Sequence, residues 1–149
     1  MAWRLARSAP IALAAVLGLT AGVALGRTSY PPLDVLLKTG TSVLGQPLEY
    51  PKGTPEVTAA IVTLEPGKDT GWHRHDVPLL GYILEGTLTV DYGPAGSRSY
   101  APGDAFVEAF GSDHDGRNDG AVPVRLLAVY MGAEGVPNSV LQAAPPAGN

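Results

Sequence analysis

The chain of 149 residues is 45% hydrophobic and 16% charged, a globular composition with room for one core. Its formal charge of -4, without a basic run, argues against nucleic acid as a partner. Because cysteine is missing, disulfides and thiolate metal sites are excluded, and any metal site must use histidine, carboxylate or water. The 19 glycines and 14 prolines favour many short strands joined by turns over long helices.

The first 26 residues have the pattern of a secretory signal. Arg4 and Arg7 form a basic start, and the uncharged, apolar run 11–25 follows. Small residues allow cleavage after Ala24 or Gly26. The run is short beside the roughly 20 residues of a spanning helix, and an uncleaved membrane anchor is the alternative. Both interpretations predict export of the domain, to the periplasm or beyond, with no membrane contact other than this segment.

A linker is predicted over residues 27–40, because Pro31 and Pro32 favour an extended chain. Within it, "DVLLKTG" predicts one short helical turn that closes at Gly40. From Thr41 onward the pattern indicates β structure, and "VTAAIVTL" at 57–64 predicts the first long strand.

The segment "TLTVDY" at 87–92 alternates strictly and predicts a half-buried strand. Leu88, Val90 and Tyr92 share one face of it. The turn "GPAGS" that follows predicts a hairpin. "DAFVEAF" and "VRLLAVYM" predict further strands, and residues 139–149 predict a disordered tail. Together these segments predict a single all-β domain over 41–138, folded as a sandwich or barrel.

All three histidines of the chain fall in this β region. His73 and His75 stand in "GWHRHD", and His114 stands 39 residues later in "GSDHDGRN". In an extended segment, residues i and i+2 point to the same side, so His73 and His75 can converge while Arg74 faces away. Three neutral imidazoles on a first-row metal leave coordination positions open for a small substrate, water or dioxygen.

These residues resemble the two sequence motifs of the cupin superfamily. The motifs read G-x5-H-x-H-x3-E-x6-G and G-x5-P-x-G-x2-H-x3-N. Eight of their ten fixed positions are matched with all spacings kept: Gly67, His73, His75, Gly86, Gly103, Gly111, His114 and Asn118. The resemblance covers residues 57–131. It implies a single-domain jelly-roll, or double-stranded β-barrel, with one mononuclear metal site at the three histidines, a small-molecule ligand inside the barrel and a possible homodimer.

Two positions depart from the motifs. Ala109 stands where the second motif has proline, which changes a turn preference. Leu79 stands where the family usually has a glutamate ligand, and leucine cannot bind metal. Three hypotheses remain open: three histidines suffice, Glu108 in "AFVEAF" supplies the missing ligand, or the barrel has lost its metal.

Other polar residues near the histidines have weaker assignments. Asp76, Asp113 and Asp115 could orient the imidazole rings as hydrogen-bond acceptors, although solvation is the ordinary state of loop carboxylates. Tyr82 and Tyr130 could present hydroxyls to the cavity, although packing is the more common role of such tyrosines.

The leading functional hypothesis is a metal-dependent enzyme of dioxygenase type, with isomerase or lyase chemistry behind it. The alternative is a cupin that binds a small ligand without turnover, or a structural module, with or without metal. Histidine ligands suit iron, manganese, nickel, copper and zinc alike, so the sequence predicts a divalent transition metal without naming it.

Overall fold

The structure, a computed structural model, describes residues 33–145. The predicted signal segment 1–26 and residues 27–32 of the predicted linker lie outside the described residues. Within residues 33–145, no helix is long and apolar enough to cross a membrane.

The described part of the chain is all-β, as the sequence predicts, and its only helical element is a single 3-10 turn. Nine strands follow one another along it: β1 Pro55–Leu64, β2 His73–Arg74, β3 Leu79–Glu85, β4 Leu88–Asp91, β5 Ser97–Tyr100, β6 Ala105–Val107, β7 Asp115–Arg117, β8 Val124–Ala133 and β9 Val140–Leu141.

The strands form three antiparallel sheets. Four of them make the largest sheet, in the order β1-β8-β3-β6, and three make a second sheet in the order β5-β4-β7. The small third sheet pairs β2 with β9. Several strands that pair in space are distant in sequence, with β1 against β8 and β4 against β7, which is the jelly-roll arrangement that the motifs imply.

The core lies between the inner faces of the two larger sheets. Ile83 and Val124 are completely buried and Leu88 nearly so, and each such side chain contributes about 1.5–3 kcal/mol through burial. Leu88, Val90 and Tyr92 are all at most 4% exposed, which confirms the predicted alternation of this strand. The predicted hairpin is also confirmed, because β4 pairs with β5 around the 3-10 turn Gly93–Ala95.

Two glycines allow close approach at the core. Gly81 on β3 faces Phe106 on β6, and a Cβ at Gly81 would lie 2.6 Å from the Phe106 ring. The ring therefore occupies the space of the missing side chain and stacks on Tyr100 at a centroid distance of 3.9 Å. Gly86 has a φ of +71°, and a Cβ there would lie 2.5 Å from the carbonyl oxygen of Pro123.

Three predicted elements are corrected. The helical turn at "DVLLKTG" does not form: residues 34–39 have no regular secondary structure, and Val35 and Leu36 are 61% and 60% exposed. A turn this short has no stability without packing, and no packing is available to it. The strand predicted at "DAFVEAF" ends at Val107, so Glu108 lies just beyond it. The predicted disordered tail contains β9, and the Gln142 N–H beyond it donates to the carbonyl oxygen of Trp72 at 2.9 Å.

Candidate metal centre

The three histidines meet because short backbone pairings bring their segments together. His73 opens β2 and exchanges two backbone hydrogen bonds with His114, at 2.9 and 2.8 Å. His75 forms an isolated parallel bridge with Phe110, and its carbonyl oxygen accepts a 2.7 Å hydrogen bond from the Gly111 N–H. The loop that precedes His114 is thus tied to both residues of the first motif.

Each imidazole ring is oriented by a backbone carbonyl. The Nδ1 atom of His73 lies 2.8 Å from the carbonyl oxygen of Gly71, that of His75 lies 2.7 Å from Asn138, and that of His114 lies 2.9 Å from Ser112. A carbonyl oxygen can only accept, so each Nδ1 carries the hydrogen and donates it. In the neutral ring this leaves the Nε2 lone pair free, which is the arrangement of a metal-binding histidine.

The free nitrogens converge. One ligand atom from each ring lies within 4.8 Å of the other two. His114 Nε2 is sealed from solvent and has no hydrogen-bond partner; among residues 33–145 it is the one side-chain nitrogen or oxygen in that state. A buried polar atom without a partner is costly, so this nitrogen is suited to a ligand from outside the described residues.

Burial keeps the three rings neutral. It lowers the pKa of His75 to about 3, and it lowers the pKa of His73 and His114 below the ordinary value as well. The neighbouring imidazoles act in the same direction on His73 and His75, because two like charges would repel. Neutral histidines with converging lone pairs fit a divalent transition metal, whose bonds to imidazole nitrogen are about 2.0–2.1 Å long.

The histidines form one end of a small cavity inside the barrel. The cavity has a volume of about 60 Å³, and most of its wall is apolar. Leu79 belongs to this wall, so the position of the motif glutamate faces the site even though its side chain cannot bind metal. The other apolar lining residues include Val62, Leu88, Val90, Phe106 and Leu126.

Glu108 lines the same cavity but lies outside the histidine cluster. Its side chain is 4% exposed, and none of the ion pairs among residues 33–145 joins it to a histidine. Its Oε1 accepts hydrogen bonds from the Tyr92 hydroxyl and the Ala109 N–H, both at 2.7 Å. Burial raises the pKa of the Glu108 carboxyl, and the two hydrogen bonds act against this rise. Its assignment as a fourth ligand stays a prediction.

Among residues 33–145, none of the flanking aspartates Asp76, Asp113 and Asp115 hydrogen-bonds a histidine ring nitrogen. Asp76 pairs with Arg74 at 3.0 Å on the surface. Asp115 reaches His73 only through Thr70, whose hydroxyl lies 3.2 Å from the carboxylate and 3.3 Å from His73 Nδ1. The expected carboxylate acceptors are therefore replaced by main-chain carbonyls.

Sequence reasoning missed two contributors to the site. Asn138 holds His75 through its carbonyl oxygen, and an atom that every residue possesses gives no sequence signal. Tyr92 bonds Glu108, and the alternation of its strand already placed it on the inward face. Of the two tyrosines singled out earlier, Tyr130 lines the cavity, with its ring centroid 5.5 Å from that of His75.

Comparisons with known proteins agree with the fold. Residues 60–130 match the family model of the cupin domain. The crystal structure of a Lactobacillus farciminis oxalate decarboxylase formate complex is 23% identical, with a TM-score of 0.50, over 57% of this chain and 26% of that chain. The crystal structure of the DMSP lyase DddQ from Ruegeria pomeroyi is 24% identical, with a TM-score of 0.52, over 62% of this chain and 45% of that chain.

Crystal structures of the DMSP lyases RdDddP and RnDddQII give a TM-score of 0.51 at 20% identity, over 58% of this chain and 44% of that chain. At these identities the likeness shows a shared fold alone. The matched part of the chain corresponds to between 26% and 45% of the length of these three structures. No curated protein sequence matches the chain significantly.

Proposed function

The chain carries a cupin domain and belongs to the cupin superfamily, and from this premise we propose that it binds one divalent transition metal and a small molecule in its barrel. His73, His75 and His114 would hold the ion. When bound, a divalent ion would supply Lewis acidity and open coordination positions for the small molecule.

One observation carries this proposal: all three Nδ1 atoms are committed to backbone carbonyls, so all three Nε2 lone pairs are left for a common ligand. A histidine cluster kept only for packing has no need of three matched orientations. The sealed, unpartnered Nε2 of His114 supports the same conclusion.

The reaction class we propose first is dioxygenase-type oxidation of the small molecule, with isomerase or lyase chemistry second. Three nitrogen ligands leave open positions that dioxygen and a substrate could share, which supports this order. A non-catalytic binding module is the second candidate function. The observation that favours it is Leu79, because an apolar side chain faces the site where the family usually has an anionic ligand.

The proposal is tested by elemental analysis of the mature domain, which is residues 27–149 after removal of the predicted signal segment. The domain is purified without added metal and is also measured after reconstitution with iron, manganese, nickel, copper or zinc. We expect about one ion per chain, and loss of that ion in His75→Ala. A wild-type domain that holds no metal even after reconstitution rules the proposal out. Oxygen consumption with a panel of small substrates then separates the enzyme from the binding module.

Export and self-association extend the proposal. The basic start and apolar run of residues 1–26 support export to the periplasm or beyond, or anchoring by an uncleaved segment. Fractionation of cells that express the full chain tests this, with N-terminal sequencing to find the cleavage site. A homodimer is proposed on the family resemblance, and sedimentation equilibrium of the mature domain tests it.

A further inference from the structure

The outer face of β1 is a stripe of exposed apolar side chains. Val62 points into the barrel, because it lines the cavity, so the residues next to it on the strand point outward. The outward stripe includes Val57, Ala59 and Ile61, and Val57 and Ile61 are 66% and 49% exposed. β1 therefore presents to solvent the residue types that an antiparallel sheet normally turns toward its core.

The stripe continues across the next two strands of the same sheet. β8 places Leu127 and Val129 beside it, and β3 places Leu80 and Tyr82 beyond these. All four are partly exposed, and Leu84 farther along β3 is 42% exposed. We call these eight residues the apolar face. Because at least three of them are more than 40% exposed, no element among residues 33–145 covers the apolar face.

The three-stranded sheet has an outer face of the opposite kind. Its outward positions hold Thr89 and Asp91 on β4, Ser97 and Ser99 opposite them on β5, and Arg117 on β7. Every one of these residues is polar, which is the ordinary pattern of a sheet with one face in water. The same chain thus builds a solvent face on one sheet and keeps polar residues off the other. This difference indicates that the apolar face is covered by a partner.

A second copy of the chain fits the apolar face better than a charged partner does. The face carries no charge, and Arg125 and Glu85 at its end pair with each other at 3.8 Å. The chain also has no basic run for lipid headgroups or nucleic acid. A second copy presents an equally uncharged sheet face, and a two-fold axis brings the same patch of both copies together. Two such faces stack about 10 Å apart.

The size of the apolar face indicates how strongly two copies would associate. Each residue of a sheet face occupies about 4.8 Å by 6.8 Å, so the eight residues cover about 260 Å² in projection on each copy. Val35, Leu36 and Leu37 add exposed apolar area, and the segment that follows them meets the edge strand β6 of the same sheet, where the Val43 N–H donates to Val107. This total lies at the low end of specific interfaces, which corresponds to a dissociation constant of about 1–10 µM.

We propose that the apolar face is the surface through which two copies of this chain associate, with the sheets stacked face to face and residues 35–37 at the rim. The inference rests on the proposed homodimer, to which it gives a surface. It is independent of the proposed metal.

The first test inserts a charge into each of the two outer faces. Ile61→Glu places a carboxylate on the apolar face of both copies, so the dimer should weaken at least about 100-fold in sedimentation equilibrium. Ser99→Glu is the matched control on the polar outer face of the three-stranded sheet, and it should dimerise within about threefold of the wild type. Cooperative urea unfolding of both variants shows that they fold.

The second test needs no disruptive change. Because the chain contains no cysteine, Ala59→Cys introduces a single thiol on the apolar face, and Ser99→Cys introduces one on the polar face. Alkylation of Ala59→Cys should slow at least about threefold between about 10 nM and about 100 µM protein, because the dimer covers the thiol. The alkylation rate of Ser99→Cys should not depend on protein concentration.

The possible failures differ from one another. A wild-type domain that stays monomeric at about 100 µM overturns both the homodimer and the inference. If this monomer sediments with phosphatidylcholine vesicles, the apolar face belongs to a membrane. A wild-type dimer that persists in Ile61→Glu, or that leaves the Ala59→Cys thiol as reactive as in the monomer, uses another surface. That result overturns the inference and leaves the homodimer standing.

Discussion

The four-stranded sheet and the histidine segments hold their residues in different ways. In the sheet, β1 and β8 pair over ten consecutive residues without a register shift. The histidines stand on a two-residue strand, on isolated bridges and beside single carbonyl acceptors. The sheet is therefore stabilised by many equivalent contacts, whereas the geometry of the candidate metal centre depends on a few individual hydrogen bonds. Substitutions at sheet residues should therefore change mainly the free energy of unfolding, and substitutions at the histidine segments should change mainly metal affinity.

The largest effect is expected at Gly86, in the bend between β3 and β4. In Gly86→Ala the new methyl group would meet backbone atoms of Pro123 and Val124 at a φ of +71°. We expect the free energy of unfolding of the metal-free domain to fall by about 3–4 kcal/mol, measured by urea denaturation. Gly111→Ala is the matched control: its φ is +62°, but a Cβ there has no atom within 4 Å, so only about 1 kcal/mol should be lost. Equal losses at both positions would contradict the comparison.

At the metal centre the expected loss is in affinity. His73→Ala removes one nitrogen ligand from a half-buried position, so metal affinity should fall by at least about 100-fold. Loss of a residue that only hydrogen-bonds a ligand usually has a smaller effect on metal affinity. The free energy of unfolding of the metal-free domain should change by about 1 kcal/mol or less. Arg74→Ala is the control between the two histidines, and isothermal titration with Zn²⁺ should show its affinity unchanged within about threefold. If the free energy of unfolding of metal-free His73→Ala falls strongly, the histidine cluster also stabilises the fold, which would contradict the comparison.

A smaller effect is expected from the acceptor of His75. Deleting residues 138–149 removes the Asn138 carbonyl oxygen and β9, and metal affinity should fall about tenfold because the ring loses its orientation. Deleting residues 143–149 keeps both features and should leave the affinity unchanged in the same titration. If both deletions bind metal like the full mature domain, the carbonyl is dispensable.

The smallest effect is a dependence of stability on pH in the metal-free domain. The pKa of each histidine is lower in the folded state than the ordinary 6.5, so the unfolded chain binds more protons below pH 6.5 and stability falls as pH falls. The slope should approach about 1.4 kcal/mol per pH unit for each histidine that stays neutral. Above pH 4.5 Glu108 has the opposite effect on stability, because its pKa is raised in the folded state and its contribution falls as pH rises. Below pH 4.5 its carboxyl is protonated in both states, and Glu108 no longer contributes to the slope.

Urea unfolding between pH 7 and pH 4 measures this slope. It should be shallower in the variant in which all three histidines are changed to alanine. A triple variant with the wild-type slope would show that the rings are not held neutral by the fold.

The sequence predicted those features that side chains encode. Period-two alternation placed Leu88, Val90 and Tyr92 on the buried face, and the motif spacing brought together three histidines from segments 39 residues apart. Both signals depend on the direction in which a strand presents its side chains, and this is fixed by the backbone.

Features made by main-chain atoms were not predictable. β9 pairs with β2 across more than 60 residues, and the three carbonyls that orient the rings belong to a glycine, an asparagine and a serine with nothing else in common. The orientation of Glu108 was also open, because the segment "AFVEAF" is apolar on both faces and the strand ends just before the glutamate.

The close contact between Gly81 and Phe106 affects the volume of the cavity. The tip of the Phe106 ring lies against a strand position that has no side chain, and the ring also lines the cavity and stacks on Tyr100. A side chain at position 81 would displace this ring and so change the volume of the cavity that the ring lines. Part of the cavity's size is therefore set by Gly81, a residue that does not line the cavity.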